Sequence, residues 1–280
     1  MIDKIQNPSS VLVVRGFPTQ EDRRKAVVLR YLTFRKFISL LELEAMWFSR
    51  LGALQDKFEG KLPNKARECS IARHRKYAEQ LAAYPELVTR IQTMADRNEA
   101  DGRKMFAVNC WFLGELETEK MWNDYGEEGN GVAIRSTVEQ LSISFHKLGG
   151  LNQMSVIDRV KYVDFESHDM DEKEAINIDK VAFLKTKNKI NEQEVRIITP
   201  NVCFNSDGIS VNQDQFTQKG LYVKCQLQTL IQAIIVGPCA EPHFFTLIER
   251  LAGRYRLCVD VTKSQLSNLA SPSKPTNLPP

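Results

Sequence analysis

Apolar and polar residues alternate along several short stretches of this chain, and a period of two is typical of β-strands. In the run Glu-Gln-Glu-Val-Arg, alternation places Glu192, Glu194 and Arg196 on one face of a strand. The residues Val195 and Ile197 would then face an apolar layer. Two carboxylates crowded onto one face raise each other's pKa unless a cation or a ligand hydroxyl compensates them. The row therefore predicts either a ladder of ion pairs or the wall of a binding site.

Strand-like and helix-like patterns intermix along the chain without the regular spacing of βαβ units and without a Gly-rich dinucleotide loop. Strands are predicted at 26–32, 46–51, 104–112, 131–135, 159–165, 192–197, 221–223, 234–236 and 257–261. Helices are predicted at 34–41, 65–98 with a break at Pro85, 118–125, 173–187 and 241–254, with a further short helix capped by Ser136 or Thr137. This mixture predicts an α+β fold, in which mixed and mostly antiparallel sheets are flanked by helices.

The length of 280 residues fits one large domain or two small ones, and no internal repeat or clear linker divides the sequence. We expect a single catalytic-type domain over 1–266, whose first 25 residues carry no certain assignment. Residues 267–280 are rich in Pro and Ser, which predicts a disordered tail.

Composition and charge narrow the class of protein. Hydrophobic residues make up 42% and charged residues 26%, as in an ordinary soluble globular protein. The apolar runs are far shorter than the ~18 residues that a membrane span needs. The first residues lack the pattern of a signal peptide, so we expect a cytoplasmic protein without membrane partners. The net charge of +3 is too small to predict nucleic-acid binding by itself.

The cysteines and histidines offer no metal-ligand spacing. No Cys-x-x-Cys pair occurs, and most of the six cysteines lie in apolar, strand-like segments. We expect them to be reduced core thiols, at Cys69, Cys110, Cys203, Cys225, Cys239 and Cys258. No metal site is predicted.

Arg30 lies in a strand pattern beside apolar neighbours, where an unpartnered charge costs several kcal/mol. It therefore needs a partner, either a protein carboxylate such as Asp56 or a glutamate, or the phosphates of a ligand, which a guanidinium binds through paired hydrogen bonds. Ser49 ends another apolar strand pattern and could offer its hydroxyl to a ligand or to the backbone.

Six short motifs occur once each along the chain, and their order identifies a family better than any one of them does. They are Leu-Arg-Tyr-Leu-Thr-Phe at 29–34, Trp-Phe-Ser-Arg-Leu at 47–51, Asp-Lys-Phe-Glu-Gly at 56–60, Met-Trp-Asn-Asp-Tyr at 121–125, Gly-Val-Ala-Ile at 131–134 and Glu-Gln-Glu-Val-Arg at 192–196. Together they resemble the bacterial domain-of-unknown-function family numbered 2971, and the resemblance covers roughly residues 26–265.

A more distant resemblance concerns the Arg–Ser–Glu pattern of ADP-ribosyltransferases, and it implies an ADP-ribosyltransferase-like fold. By position, it implies that Arg30 holds the diphosphate or ribose of NAD and that Ser49 helps to place the nicotinamide ribose. It further implies that Glu192 or Glu194 binds the ribose 2′-hydroxyl and stabilises the positive charge that develops as nicotinamide leaves.

The same resemblance implies partners. NAD would be the co-substrate, and ADP-ribose would pass to a macromolecular acceptor, protein or nucleic acid, or to water. Tyr31 or Trp122 could stack on a flat ring of NAD, although Trp122 could equally be a core residue. A role in bacterial or phage conflict is a further expectation for such a family.

Two other classes remain open from the residues alone. Asp56, Glu59 and Lys61, joined by Glu192 and Glu194, supply the carboxylates and lysine of a Mg²⁺-dependent nuclease. An interaction module without catalysis instead predicts that these charges pair with one another and leave no open pocket.

Overall fold

Runs of aliphatic, β-branched and aromatic residues form the strands, as their preference for a pleated surface predicts. The computed structural model describes residues 12–80, 85–86, 89, 103–104, 106–146, 155–168, 170, 178–200, 202–205, 208–211 and 219–268. The strands are β1 Val13–Val14, β2 Val27–Leu32, β3 Ala45–Arg50, β4 Phe106–Leu113, β5 Val132–Thr137, β6 Val156–Arg159, β7 Lys161–Val163, β8 Leu184–Thr186, β9 Glu194–Pro200, β10 Val202–Asn205, β11 Gly208–Val211, β12 Gly220–Lys224, β13 Ala233–Val236 and β14 Asp260–Lys263.

Helices lie between these strands, and several of them begin at a polar residue that caps the first turn. The helices are α1 Gln20–Lys25, α2 Phe34–Leu43, α3 Asn64–Gln80, α4 Glu119–Tyr125, α5 Val138–His146, α6 Ile178–Val181, α7 Leu227–Leu230 and α8 Pro242–Arg254, with 3-10 turns at Leu51–Ala53, Lys187–Glu192 and Gln265–Asn268. Thr33 caps α2 and Thr118 caps α4, because each hydroxyl accepts a backbone N–H of the first turn. Thr137, one of the two predicted candidates, accepts the N–H of Gln140 at the start of α5.

Within the described residues, the strands build one ten-stranded sheet in the order β1-β6-β9-β4-β2-β5-β13-β14, and β3 joins β4 to β12. Its pairs are antiparallel except β1 with β6 and β13 with β14. The predicted α+β class with mixed, mostly antiparallel strands and flanking helices is therefore confirmed. None of the described helices combines the length and the apolar character that a bilayer crossing requires.

The sheet forks along one edge of β4. Ser49 and Arg50 of β3 pair with the first part of that strand, and Val28 and Leu29 of β2 pair with its end. Residues 109–111, between these two stretches, pair with β9 on the other edge but, in the described pairings, with neither β2 nor β3. Backbone groups at the fork must therefore be satisfied by side chains.

Alternation of side chains along β4 and β9 gives the sheet two different faces. One face buries a large apolar core that includes Val28, Phe37, Phe48, Trp111 and Ile197. The other face carries two smaller apolar clusters. The first contains Leu51, Phe106, Val108, Val156, Ala182, Phe183 and Ile198, and the second contains Leu29, Tyr31, Phe112, Met121, Trp122, Ala133 and Ile235. Glu194 and Arg196 of β9 lie on this second face, where they pair with Phe112 and Cys110 of β4.

Three predictions of local structure are corrected. The predicted helix 173–187 is wrong over its last residues, because Leu184–Thr186 form β8, a strand parallel to β7. The predicted strand 159–165 is two strands, since Arg159 ends β6 and the chain then turns to pair with β8. Cys69, Cys239 and Cys258 are exposed rather than in the core, although all five described cysteines are free thiols; the side chain of Cys203 lies outside the described part.

Some predictions fall outside the described residues. Helix α3 confirms the start of the predicted helix 65–98, but most of the chain between 81 and 102 is not described. The same holds for 1–11 of the uncertain N-terminal segment and for 269–280 of the predicted tail.

Candidate functional site

Arg30 extends from β2 into the fork of the sheet. Its Nη1 donates a hydrogen bond to the carbonyl oxygen of Cys110 on β4. Its Nε is buried and has no hydrogen-bond partner among the described residues. Burial lowers the pKa of Arg30, and the nearby Cys110 and Glu194 oppose that shift. The direct protein partner is thus a backbone carbonyl instead of the expected carboxylate, and Asp56 is bound elsewhere, by the N–H of Phe58.

Glu194 and Arg196 occupy adjacent same-face positions at the start of β9, as the alternation predicts. Arg196 Nε donates to Glu194 Oε2 at 2.7 Å. The Nη atoms of Arg196 donate to the two carboxylate oxygens of Glu59 at 2.7 and 2.8 Å, and Nη1 also donates to the carbonyl oxygen of Ala182. All three charged side chains are buried, with Arg196 fully enclosed. The predicted pairing of Arg196 with Glu194 is confirmed.

Lys185 of β8 completes this buried charge cluster, which consists of Glu59, Lys185, Glu192, Glu194 and Arg196. Its Nζ lies 2.5 Å from Glu192 Oε2, 2.9 Å from Glu194 Oε1 and 3.5 Å from Glu59 Oε1. The cluster contains three carboxylates and two cations, so it carries one excess negative charge. Further positive charge flanks the cluster: Lys189 lies 3.4 Å from Glu192, and Arg30 is within electrostatic range of Glu194.

The prediction that Glu192 lies on the strand is wrong. Glu192 ends the 3-10 turn Lys187–Glu192, and Gln193 follows in the left-handed conformation, with φ 39° and ψ 51°. β9 begins only at Glu194. The two carboxylates nevertheless converge, because the turn folds Glu192 back onto Lys185, where both bind the same ammonium group.

The cluster holds Glu194 as an anion. Burial alone would raise the pKa of Glu194, but the charges of Arg196 and Lys185 and the hydrogen bond from Lys185 lower it to about 2. The pKa of Lys185 is raised, since the neighbouring carboxylates outweigh its burial. Both groups are therefore fully charged at neutral pH.

Ser49, another predicted site residue, lies far from Glu194 along the same face of the sheet. Ser49 shares the face of Glu194, since it pairs with Val108 and that residue pairs with Ile198. Two strand spacings and four residues put the Cα atoms of Ser49 and Glu194 roughly 16 Å apart. The Ser49 hydroxyl accepts the indole N–H of Trp47 at 3.0 Å. A direct contact with Glu194 is thus ruled out, and only a ligand of nucleotide size could touch both.

Tyr31 and Trp122 are brought together in the second small apolar cluster. Their ring centroids lie 4.9 Å apart with an interplanar angle of 88°. Trp122 is 1% exposed, and its indole N–H donates to Glu117 at 2.8 Å. The Tyr31 hydroxyl accepts the N–H of Thr118. Both rings serve as core residues in this arrangement, and their stacking on NAD stays a prediction.

Lys185 and two tyrosines were missed from sequence. Lys185 was placed in a helix, and there it would have been one lysine among several. Tyr162 accepts the backbone N–H of Glu194 at 2.8 Å, and Tyr125 is half-exposed within electrostatic range of Glu192 and Glu194. One signal was available: a strand with two acidic groups and one arginine requires a further cation, and a lysine is the simplest source.

Comparison with known proteins gives one family. The model of the family described as "Protein of unknown function (DUF2971)" matches residues 121–201. Over that segment, which includes Trp122, Glu192, Glu194 and Arg196 but neither Arg30 nor Ser49, the chain is similar to the family that its motifs resemble. No curated protein and no solved structure matches the chain.

Proposed function

We propose that this protein binds NAD and breaks the bond between nicotinamide and ribose, passing ADP-ribose to an acceptor or to water. The observation that carries the proposal is the approach of Arg30 and Glu194 to the same part of β4. Leu29, the neighbour of Arg30, pairs with Phe112, and Phe112 pairs with Glu194 across the other edge. The guanidinium of Arg30, bonded to the carbonyl oxygen of Cys110, is therefore within electrostatic range of the ionised Glu194 carboxylate at the fork.

Each charge suits one part of NAD. The Arg30 guanidinium suits the diphosphate, and its buried Nε is a donor without a hydrogen-bond partner among the described residues. Glu192 Oε1 is a buried acceptor that also lacks a hydrogen-bond partner among the described residues. The ammonium of Lys189 lies 3.4 Å from it. A ligand with phosphates and ribose hydroxyls would satisfy both atoms. These two atoms support binding of a nucleotide at the fork.

The reaction needs an anion beside a developing cation. As the C–N glycosidic bond breaks, nicotinamide leaves with the bonding electron pair and positive charge develops on the ribose ring. Glu194, ionised because its pKa is lowered to about 2, would stabilise that charge and accept a hydrogen bond from the 2′-hydroxyl. A lone pair of the acceptor or of water then forms the new bond to the ribose carbon, and the proton of the attacking group passes to solvent. Glu192 is the alternative carboxylate for this role.

The contacts give less support to a Mg²⁺-dependent nuclease. Of its candidate residues, Glu59 is bound by Arg196 and Asp56 accepts the N–H of Phe58. In the described part of the chain, no group of three or more His, Cys, Asp or Glu is placed to hold a metal ion. The carboxylates of the charge cluster already have protein cations as partners.

The interaction-module alternative is supported by the Glu59–Arg196–Glu194 pairing. It does not account for the two buried polar atoms, Arg30 Nε and Glu192 Oε1, that lack hydrogen-bond partners among the described residues. A part in bacterial or phage conflict stays a prediction of the family resemblance.

The direct test is release of nicotinamide from NAD by the purified protein. We expect release by the wild type and a loss of about 10²–10³-fold in rate for Glu194→Gln, as for removal of a group that stabilises transition-state charge. Glu59→Gln is the matched control, because it perturbs the same cluster through Arg196 but removes a carboxylate that bonds only to protein cations in the structure. Circular dichroism would verify that both variants fold.

Three outcomes would contradict the proposal: no nicotinamide from the wild type with or without cell extract as a source of acceptors, equal losses in the two variants, or EDTA-sensitive cleavage of nucleic acid. The last result would favour the nuclease.

A further inference from the structure

We propose that Lys185 is a positioning residue that holds the Glu192 and Glu194 carboxylates side by side and keeps Glu194 ionised. The inference rests on the proposed function, in which Glu194 acts as an anion. Its basis is a single ammonium group that lies 2.5 Å from Glu192 Oε2 and 2.9 Å from Glu194 Oε1. Lys185 is 6% exposed, so water does not screen these contacts.

No other described cation contacts both carboxylates. Arg196 binds Glu194 through Oε2 and turns its remaining donors to Glu59 and Ala182. Lys189 contacts Glu192 alone, at 3.4 Å, and its side chain is 40% exposed. Lys185 is thus the bridge between the end of the 3-10 turn and the start of β9.

The bridge matters because Glu192 and Glu194 are within hydrogen-bonding reach of each other. Two carboxylates this close share a proton unless a cation lies between them. The charged and titratable groups around the pair come from several elements of the fold. They are Arg30 of β2, Glu59 of the loop before α3, Cys110 of β4, Lys120 and Tyr125 of α4, Tyr162 of β7, Lys185 of β8, Lys189 of the 3-10 turn and Arg196 of β9.

Removal of Lys185 would leave Glu59 and Glu194 sharing the guanidinium of Arg196, with Glu192 held only by the partly exposed Lys189 at 3.4 Å. Uptake of one proton by the Glu192–Glu194 pair would then cost the least free energy, because the alternative is an uncompensated buried charge. Glu194 would then carry only part of its negative charge at moderately acidic pH. The proposed NAD cleavage would lose its anion there and recover it at higher pH.

The experiment compares the wild type with Lys185→Met, Lys185→Arg and the control Lys189→Met, all as full-length chains. The first readout is a ¹³C titration of the glutamate carboxyls by NMR, assigned through Glu192→Gln and Glu194→Gln, and it needs no activity. The second is the pH profile of nicotinamide release.

In Lys185→Met we expect the pair to titrate about 1–3 pH units higher than in the wild type. The acid limb of nicotinamide release should move upward by a similar amount. Lys185→Arg should largely restore both readouts, since it restores the charge. Lys189→Met should leave the titration of Glu194 as in the wild type, because Lys189 contacts only Glu192.

An unchanged carboxyl titration in folded Lys185→Met overturns the inference. If Lys185→Met does not fold, the carboxyl titrations of Lys185→Gln and of the wild type test the inference instead. In the wild type, titration of Glu194 above about pH 5 would equally overturn it, since a carboxylate held by a buried ammonium group titrates below the ordinary range. Absence of nicotinamide release from the wild type at every pH contradicts the proposed function, while the NMR titration still tests Lys185.

Discussion

The guanidinium of Arg196 binds the carboxylate of Glu59 through two hydrogen bonds of 2.7 and 2.8 Å, although 137 positions separate the two residues. The pair fixes the loop before α3 to the centre of the sheet. Both side chains are almost fully buried, at 0% and 2% exposed. An ion pair in that position is costly to break from one side, because the remaining charge cannot reach water.

Arg196→Met should therefore destabilise the fold by about 3–5 kcal/mol, the usual loss when one member of a buried pair is removed. Urea unfolding followed by circular dichroism measures this change. The exposed pair of Lys25 with Glu21 offers the contrast, and Lys25→Met should leave the unfolding midpoint nearly unchanged. Equal effects of the two substitutions would contradict the buried role of Arg196.

The lowered pKa of Glu194 makes stability depend on acidic pH. Its pKa in the folded state is about 2, below the ordinary 4.5, so the stabilisation is complete above pH 4.5 and is lost as the pH falls toward 2. We expect the free energy of unfolding to fall across that window. Glu194→Gln should flatten the dependence there, as measured by urea titrations at a series of pH values. A Glu194→Gln curve parallel to that of the wild type would contradict this assignment.

Asn109 holds the fork of the sheet. Its amide donates to the carbonyl oxygen of Trp47 at 2.8 Å, and its carbonyl accepts the indole N–H of Trp111 at 2.7 Å. Asn109→Leu should cost about 2–5 kcal/mol, since it leaves two buried polar groups unsatisfied at about 1–3 kcal/mol each. Thermal unfolding measures the loss, with exposed Asn123→Leu as the control. A loss of stability no larger than that caused by Asn123→Leu would contradict this role of Asn109.

Trp122→Phe should lower stability by about 1.5–3 kcal/mol, because the indole hydrogen bond to the Glu117 carboxylate is lost. A double-mutant cycle with Glu117→Gln measures the coupling between the two side chains. A higher KM for NAD without a loss of stability would instead assign the ring to ligand binding.

Gly131 and Gly253 should respond to alanine in opposite directions. A Cβ at Gly131 would lie 2.3 Å from the carbonyl oxygen of Leu32, a backbone atom that cannot move aside, so Gly131→Ala should be strongly destabilising. A Cβ at Gly253 meets nothing within 4 Å. Gly253→Ala in helix α8 should therefore raise the free energy of unfolding by about 0.5–1 kcal/mol. Paired melting curves test both expectations, and destabilisation by Gly253→Ala would contradict the second.

Local sequence patterns predicted those elements whose structure depends on residues that are close together in the chain. Strand β2 and helix α2 were predicted closely, because an apolar run is followed by Thr33 as a cap and by an apolar stripe. The face shared by Glu194 and Arg196 was likewise predictable from alternation. Strand β8 was not, since a short apolar segment before Lys185 fits a helix as well as a strand and only its pairing with β7 decides.

The charge cluster was only partly predictable for a related reason. Glu192 was placed on the strand because nothing in the sequence indicates that Gln193 adopts the left-handed conformation. Glu59 was considered as a metal ligand, whereas its partner proved to be an arginine far along the chain. Such long-range pairings depend on how the strands are ordered in the sheet, which one sequence does not specify.

The fork in the sheet has a mechanical consequence. Between β3 and β2, the free edge of β4 is bridged by side chains, Asn109 on one side and Arg30 on the other, and no backbone ladder crosses it in the described pairings. On its other edge β4 pairs with β9 without a break, so the strands are held apart only on the side of β2 and β3. The position of the two strands at this branch point thus depends on two side chains, and a shorter residue at 30 or 109 would leave a backbone carbonyl without its partner.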